Sequence, residues 1–283
     1  PRQQLIVELV RAHVVPETVS YKREGNAAYL RIFSFNLETA DSLQKEIDKA
    51  RDEIGPALKG YVLDLRGNPG GLLDQAVAVS DLFLEEGRVV STHGRHPDSH
   101  QYFEASSGDA SDGQPIVILI NGDSASASEI VAAALQDDNR AVIIGSNSYG
   151  KGTVQTVLRM PNEGELTLTW ARFHAPSGYT LNHLGVLPTI CSRDAANDSD
   201  VGTLIQDLRS GKLAPIPTVA RNSVDPANTK ALDELRKTCP TRQEESESDL
   251  ALALRILDEP ALYSRALALA TPRGLAAAAG TNP

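Results

Sequence analysis

Residues 60–72 read GYVLDLRGNPGGL, and residues 115–129 read PIVILINGDSASASE. Each stretch is a short, continuously apolar run that ends in a turn of small or backbone-permissive residues. Periodic apolar residues then predict a helix after each turn, at 72–84 and at 129–136. Continuous apolar strands that alternate with helices favour an α/β fold in which both faces of the sheet are covered.

The same alternation extends in both directions from this repeat. Apolar patterns predict strands at 28–33, 88–92, 141–145 and 164–174, a helix at 41–50, and a loop or hairpin tip at 93–113. Beyond Cys191 the composition shifts to Ala, Asp, Asn, Ser and Pro, with helical patterns at 200–208, 230–237, 248–257 and 261–269. We therefore predict an extended segment at 1–20, a strand–helix core at 21–190, and a helical appendage at 191–283 with a mobile tail from Gly274.

Composition excludes several classes of partner. The 283 residues include 27 Lys and Arg against 37 Asp and Glu, a formal net charge of −10, whereas a nucleic-acid partner would require a basic patch. No run of about 18 apolar residues is present, so the chain is not expected to span a membrane. The sequence begins at Pro1 without an initiator Met or a signal peptide, and we expect a mature or trimmed chain that could have lost an N-terminal signal.

The two turns admit a functional and a structural interpretation. Exposed amides at a helix N-terminus can hold an anion or a developing oxyanion, but a tight turn that requires glycine also explains residues 66–71. In the second turn, helix capping explains any one of Ser124, Ser126 and Ser128. Three serines separated only by alanine instead indicate a requirement for small side chains around one hydroxyl.

A third loop, GSNSYGKGT at 145–153, nearly matches a phosphate-binding loop. Gly152 stands where the loop needs a hydroxyl for Mg²⁺. The residues that follow, from Thr153 to Leu158, are mostly β-branched and predict a strand rather than the helix that would supply amides to a phosphate. Nucleotide binding therefore remains only a rival hypothesis.

Histidine does not offer an obvious catalytic base or metal site. None of the six histidines lies in a small-residue turn, and His93, His96 and His100 are more typical of a solvated polar loop than of a metal cluster. Neither a zinc-binding HExxH pattern nor a GxSxG elbow occurs. A serine nucleophile would need another base, and a lysine can serve if burial lowers its pKa from ~10.4 towards neutrality.

Four segments match one protease family in order. They are LDLRGNPGGL at 63–72, SASASEIV at 124–131 with LQD at 135–137, GKGTVQT at 150–156, and APSG at 175–178. In these segments the chain resembles the carboxy-terminal processing proteases, which are serine peptidases with a Ser–Lys dyad. The resemblance covers about residues 60–188 and implies a protease core of the crotonase/ClpP-like type. It implies that Ser126 is the nucleophile, that Lys151 is the base, and that Gln155 orients the lysine.

The resemblance also implies the rest of the chemistry. An oxyanion hole would use the amide of Ala127 and an amide of the Gly70–Gly71 pair, and such a dyad needs no metal or cofactor. Lys151 is expected in an enclosed environment that keeps it uncharged, and Gln155 is expected on the same face of a strand. The implied function is endoproteolysis near the apolar C-termini of protein substrates in the bacterial periplasm or cell envelope.

Family members usually carry a PDZ domain before the protease core. Only Leu5–Val19 resembles the segment that leaves this domain, so we expect the rest of a PDZ domain to be absent from this chain. A homo-oligomer or an adaptor protein is a further expected partner. The alternative function is that of a catalytically silent member acting as a scaffold through its helical appendage. Asp137 is predicted not to be catalytic, because a carboxylate near Lys151 would stabilise the ammonium form.

The only two cysteines of the sequence are Cys191 and Cys239. Free exposed thiols would be a liability in an oxidising envelope, so we predict one disulfide that ties the helical appendage to the core. The alternative is a pair of unrelated reduced thiols in a cytosolic protein.

Overall fold

Ten strands and eight helices make up the described part of the computed structural model, which comprises residues 16–106 and 108–270. The strands are β1 (Val19–Glu24), β2 (Ala27–Ile32), β3 (Gly60–Asp64), β4 (Arg88–Gly94), β5 (Gln101–Glu104), β6 (Ile116–Ile120), β7 (Ala141–Gly145), β8 (Thr153–Arg159), β9 (Glu165–His174) and β10 (Ile190–Cys191). The helices are α1 (Thr39–Ile54), α2 (Leu73–Asp81), α3 (Ala127–Asp137), α4 (Asp198–Ser210), α5 (Thr218–Ser223), α6 (Thr229–Arg236), α7 (Glu247–Asp258) and α8 (Pro260–Ala268). The predicted α/β fold class is confirmed. Residues 1–15 of the extended segment predicted at 1–20, and the tail predicted from Gly274, lie outside the described residues, whereas Val19 and Ser20 begin β1.

The central sheet has the strand order β1-β2-β3-β6-β7-β10. A hairpin joins β1 and β2, and the other neighbours are parallel. Every residue of β3, β6 and β7 is buried, which explains their continuous apolar sequence. Successive side chains point to opposite faces, so that Leu63 and Ile118 pack in one core cluster whereas Val62 and Val117 pack in the other.

Helices α1, α2 and α3 cover the first face of the sheet. The apolar stripe of α1 contains Leu43, Ile47, Ala50 and Ile54, all of which are buried against this face. Helix α3 is buried along almost its whole length, because it lies between the sheet and its neighbouring elements. This layer fixes the direction in which α2 and α3 leave the turns that precede them.

Helices α4, α7 and α8 cover the second face. Val201 and Ile205 of α4 and Leu252 and Ile256 of α7 share one core cluster with the strand residues of this face. The segment that the sequence predicts as an appendage therefore supplies one of the two helical layers of the sheet. The boundary near Cys191 stays a prediction.

A second, antiparallel sheet has the order β5-β4-β9-β8. It contains the segment predicted as a loop or a hairpin tip, where β5 pairs with β4. The β8–β9 hairpin exposes apolar side chains, among them Leu158, Leu168 and Trp170.

The described residues contain no helix that is both long and apolar enough to cross a membrane.

Shortening one buried side chain of α7 tests the packing of the helical layer on the second face of the sheet. Leu252 is 1% exposed, and we expect Leu252→Ala to lower the free energy of unfolding by about 2–5 kcal/mol, because it removes apolar contacts and leaves a cavity. Chemical denaturation measures the change. Leu37, which is 78% exposed, supplies the matched control Leu37→Ala, with an expected effect within about 0.5 kcal/mol. Equal effects of the two substitutions would contradict the packing of α7 on the sheet.

Candidate active site

Two turns meet at the carboxyl end of the central sheet, because β3 and β6 are parallel neighbours. The carbonyl oxygen of Asn68 in the first turn accepts hydrogen bonds from the Ala125 amide and the Ser128 hydroxyl, each at 3.0 Å. The Ser124 hydroxyl donates to the carbonyl oxygen of Leu65 at 2.8 Å. The turns therefore form one unit at the edge where open α/β sheets bind their ligands.

The three serines of the second turn have different roles. Ser124 and Ser128 are fully buried, and their hydroxyls fasten the first turn. Ser126 is only partly buried and directly precedes α3. Its φ of 55° and ψ of −112° lie outside the regions that residues other than glycine prefer. Backbone strain of this kind clusters at functional sites, which makes Ser126 the candidate nucleophile of the three.

Gly70 allows the first turn to approach Ser126 closely. A Cβ atom at Gly70 would lie 2.7 Å from the carbonyl oxygen of Ala125 and 2.8 Å from the Ser126 Cβ, and its φ is +99°. Only glycine fits both the space and the backbone conformation. The Gly70 amide donates to Oδ1 of Asn68 at 2.8 Å, so that amide already has an acceptor within the turn.

Gly71 offers the other amide of the pair. The Phe35 amide donates to the carbonyl oxygen of Gly70 at 3.1 Å, and the Leu72 amide donates to that of Phe35 at 3.0 Å. These bonds flank Gly71 on the side of Phe35, so the N–H of Gly71 itself points to the other side. The Ala127 amide is the first of α3, and the first amides of a helix have no intrahelical acceptor.

Glu129 is the site residue that the sequence analysis missed. Its carboxylate is 1% exposed and accepts four hydrogen bonds: from the Ser148 hydroxyl at 2.6 Å and from the amides of Gly150, Ser126 and Lys151 at 2.6, 2.8 and 2.9 Å. The amides of Ser126 and Lys151 share its oxygen Oε2. One buried carboxylate thus holds the backbone of the serine beside the backbone of the lysine.

The electrostatics of Glu129 are a balance between burial and hydrogen bonding. Burial raises the pKa of the carboxyl, whereas the four donors stabilise the charged form and oppose the rise. The sequence does carry a signal, since Ser126 and Glu129 have the spacing of a capping box, S-x-x-E. In the structure the Ser126 amide does donate to Glu129, and the same carboxylate also accepts a hydrogen bond from the Lys151 amide.

The structure corrects the expected surroundings of Lys151. Its side chain is exposed rather than enclosed, because it lies in the irregular segment before β8, where none of the described elements covers it. Within residues 16–106 and 108–270 its ammonium group forms no hydrogen bond with Ser126 or any other residue. The structure therefore brings the two backbones together but not the two side chains.

Gln155 is also exposed, in β8. A register shift between Val154 and Gln155 interrupts the alternation of side chains along β8, and Lys151 lies before this strand begins. The expected shared face therefore does not follow from the spacing of Lys151 and Gln155. The role of Gln155 in orienting the lysine stays a prediction.

Helix α6 supports the segment that leads to Lys151. Nη1 of Arg236 donates to the carbonyl oxygens of Leu184 at 2.7 Å and His183 at 3.1 Å, and Nη2 donates to that of Ser148 at 3.1 Å. The His183 amide in turn donates to the carbonyl oxygen of Gly150 at 3.0 Å. The position of the lysine segment thus depends on residues from the C-terminal part of the chain.

Asp137 is engaged in a buried ion pair. Its carboxylate accepts hydrogen bonds from Nη2 of Arg221 at 2.7 Å and from the Ser177 hydroxyl at 2.6 Å, and both charged side chains are 3% exposed. These contacts join two of the family-like segments, LQD and APSG, to helix α5. The geometry gives Asp137 a structural role.

Cys191 and Cys239 form a disulfide, with their Cα atoms 5.8 Å apart. The bond joins the end of β10 to the segment that follows α6. Cys239 is buried beside the carboxyl end of β7, where its sulfur lies 3.7 Å from the carbonyl oxygen of Gly145.

The remaining sequence candidates contribute no second site. Thr153–Arg159 is the strand β8, as predicted, so the loop at 145–153 lacks the helix that a phosphate-binding loop requires. The ring of His93 stacks on that of His100 and meets that of His174 at a tilt, and burial together with these neighbouring imidazoles lowers the pKa of His93. In the described part of the chain no group of three or more His, Cys, Asp or Glu residues could hold a metal ion.

A strained serine at the start of a helix, beside glycine amides at the carboxyl end of a parallel sheet, is the arrangement of a serine hydrolase. Comparison with known proteins narrows this class. The sequence pattern of Peptidase family S41 matches residues 26–192, and the chain belongs to this family. The predicted relationship to the carboxy-terminal processing proteases is thereby confirmed.

The individual relatives agree. A carboxy-terminal-processing protease of Bartonella bacilliformis is 49% identical over 187 residues, which cover 66% of this chain and 43% of that protein. A carboxyl-terminal-processing protease of Synechocystis is 30% identical over 182 residues, covering 64% and 42%. The solved structure of a photosystem II D1 C-terminal processing protease superimposes with a TM-score of 0.56 at 28% identity, covering 62% of this chain and 48% of that one. The chain thus spans less than half the length of these relatives, and it shares their fold.

Removal of Asp137 tests its structural role. We expect Asp137→Ala to lower the free energy of unfolding by about 3–5 kcal/mol, because it leaves the buried guanidinium of Arg221 without its partner. Chemical denaturation checks this. The control is Asp123→Ala, at an exposed position of the second turn (residues 121–126), which we call the serine turn, and it should change stability by less than about 0.5 kcal/mol. An Asp137→Ala variant as stable as this control would contradict the structural assignment.

The disulfide is tested by peptide mapping. A non-reduced digest should yield one linked pair of peptides that contain Cys191 and Cys239, and alkylation of the native protein should label neither thiol. Reduction should lower stability by roughly 3–4 kcal/mol, because the bond closes a loop with a sequence separation of 48 residues. Two alkylated cysteines in natively purified protein would refute the bridge.

Proposed function

We propose that this chain carries the catalytic centre of a serine endopeptidase that cleaves protein substrates near their C-termini. Ser126 is the nucleophile and Lys151 is the general base. The amides of Ala127 and Gly71 are the donors to the oxyanion, since the amide of Gly70 is engaged within its turn. No metal or cofactor takes part in this scheme.

The observation that carries the proposal is the position of Glu129. Because the amides of Ser126 and Lys151 bond to one oxygen of its carboxylate, the two residues start from neighbouring points of the backbone. Four rotatable bonds in the lysine side chain let its amino group swing from solvent towards the Ser126 hydroxyl. The exposed Lys151 side chain then corresponds to a resting arrangement.

The bound substrate completes the site in this scheme. A lysine acts as a base only in its neutral form, and removal of water from around it favours that form. A substrate polypeptide that binds over Lys151 removes this water. Neutral Lys151 takes the Ser126 proton, the alkoxide attacks the peptide carbonyl, and the proton passes to the leaving amine. Water then hydrolyses the acyl-enzyme in a second step of the same kind.

The substrate and the compartment follow from the family and the disulfide. We propose protein substrates with apolar C-termini, cleaved in the bacterial periplasm or cell envelope, where an oxidising environment preserves disulfides. The relatives named above include bacterial proteins. A PDZ domain that captures the substrate, a homo-oligomer and an adaptor protein remain predictions for the whole protein. So do the core limits at 21–190.

The silent-scaffold alternative is not favoured. A silent member would be free to lose either catalytic side chain, but Ser126 and Lys151 are both present, and a buried network holds their backbones together. The geometry thus supports an active enzyme over a scaffold.

Substitution of either dyad residue should abolish turnover. In the full-length protein we expect Ser126→Ala and Lys151→Ala each to stop cleavage of an unfolded protein with an apolar C-terminus, without loss of fold. The double variant should be no worse than either single one, because both substitutions disable one catalytic unit. Gel-based cleavage assays and circular dichroism measure the two properties.

The exposed residue Asp123 again supplies the control, since Asp123→Ala should cleave at the parent rate. An active-site serine probe should label the parent and Asp123→Ala but not Ser126→Ala. Parent-like cleavage by Lys151→Ala would overturn the dyad, whereas failure of the parent to react with the probe would favour the scaffold.

A further inference from the structure

We propose that Asp249 of helix α7 is a positioning residue for the oxyanion turn, which we define as residues 65–71. The inference rests on the proposed function. Asp249 lies beyond residues 26–192, the part that matches the family. The proposal therefore gives the C-terminal part of the chain a role in the active site.

Asp249 is fully buried at the centre of a charged cluster. Its Oδ2 accepts hydrogen bonds from Nη1 of Arg66 at 3.2 Å and from Nη2 of Arg242 at 2.6 Å, and its Oδ1 accepts one from the Ser192 hydroxyl at 2.6 Å. Arg66 also pairs with the buried Asp64, at 2.5 Å. Two carboxylates thus balance two guanidiniums, and loss of one carboxylate leaves buried positive charge uncompensated.

Arg66 connects Asp249 to the oxyanion turn. Its side chain is 5% exposed and also donates to the carbonyl oxygen of Ser246 at 2.7 Å, so the start of α7 fixes its direction. Its backbone amide donates to Asp64 at 2.9 Å. The next amide, that of Gly67, donates to Oδ1 of Asn121 at 2.9 Å. The chain therefore enters the turn in one orientation, a short distance before the glycines that approach Ser126.

Arg242 connects Asp249 to the serine turn. Its carbonyl oxygen accepts hydrogen bonds from the Gly122 amide at 2.7 Å and from the Ser146 hydroxyl at 3.1 Å. The side chain of Asn121 donates to the neighbouring carbonyl oxygen of Gln243 at 2.6 Å. One carboxylate thus sets the relative position of the two turns that supply the nucleophile and the oxyanion donors.

The placement matters because oxyanion donors act mainly in the transition state. A displacement of about 1 Å at a reacting group can cost on the order of 100-fold in rate. Ground-state binding of the substrate depends far less on these donors. A positioning role for Asp249 therefore predicts a loss in kcat with little change in KM.

Asp249→Asn is the test variant, because asparagine keeps the shape but removes the charge that faces both guanidiniums. In the full-length protein we expect kcat to fall about 10- to 100-fold with KM within about twofold. Glu247→Gln, an exposed change in the first turn of the same helix, is the matched control and should keep the parent values.

A pair of inhibitors separates positioning from a loss of folded protein. A peptide aldehyde with apolar side chains forms a tetrahedral adduct with Ser126, and the former aldehyde oxygen of this adduct needs the oxyanion donors. The matching peptide alcohol forms no such adduct and does not need these donors. In Asp249→Asn we expect the aldehyde Ki to rise by the factor that kcat loses and the alcohol Ki to stay unchanged. An unfolded fraction would change neither Ki once active enzyme is titrated.

If Asp249→Asn does not fold, Ser192→Ala removes one hydrogen bond to the carboxylate and should lower kcat by about 2- to 10-fold with the same inhibitor pattern. A folded variant with the parent kcat and aldehyde Ki would overturn the inference, as would an equal loss of aldehyde and alcohol binding. Cleavage by Ser126→Ala would instead overturn the proposed function.

Discussion

The buried carboxylate of Glu129 is the contact on which the site depends. It lies at the start of α3 and receives amides from two segments that are distant in the sequence, those of Ser126 and Lys151. Four donors stabilise the charge that burial disfavours, so the group is costly to leave unsatisfied and holds its partners firmly. The flexible part of the proposed dyad is then the lysine side chain alone.

The site rests on a sheet that needs both of its helical layers. The turns leave β3 and β6, whose side chains alternate between the two core clusters. Removal of the layer formed by α4, α7 and α8 would expose one whole apolar face and also the charged cluster around Arg66. The C-terminal part of the chain thus contributes both to the core and to the two turns of the candidate site.

The sequence predicted the strand–turn–helix repeat because its strands are continuously apolar and its turns are rich in glycine and serine. The alanine spacing indicated one special hydroxyl among three serines, and resemblance to a family then singled out Ser126 and Lys151. Contacts between remote segments were beyond it. No local pattern pairs Arg66 with Asp249, 183 residues away, and the exposure of Lys151 depends on what covers it in three dimensions.

The separation of Arg66 and Asp249 along the sequence also governs when the site can form. During synthesis, 183 residues must follow Arg66 before its partner exists, so the oxyanion turn stays unanchored in the nascent chain. Contacts of such long range close late in folding, because the entropy of a long loop must be offset first. The turn can therefore gain this anchor only after Asp249, in the first turn of α7, has been synthesised and α7 has packed against the sheet.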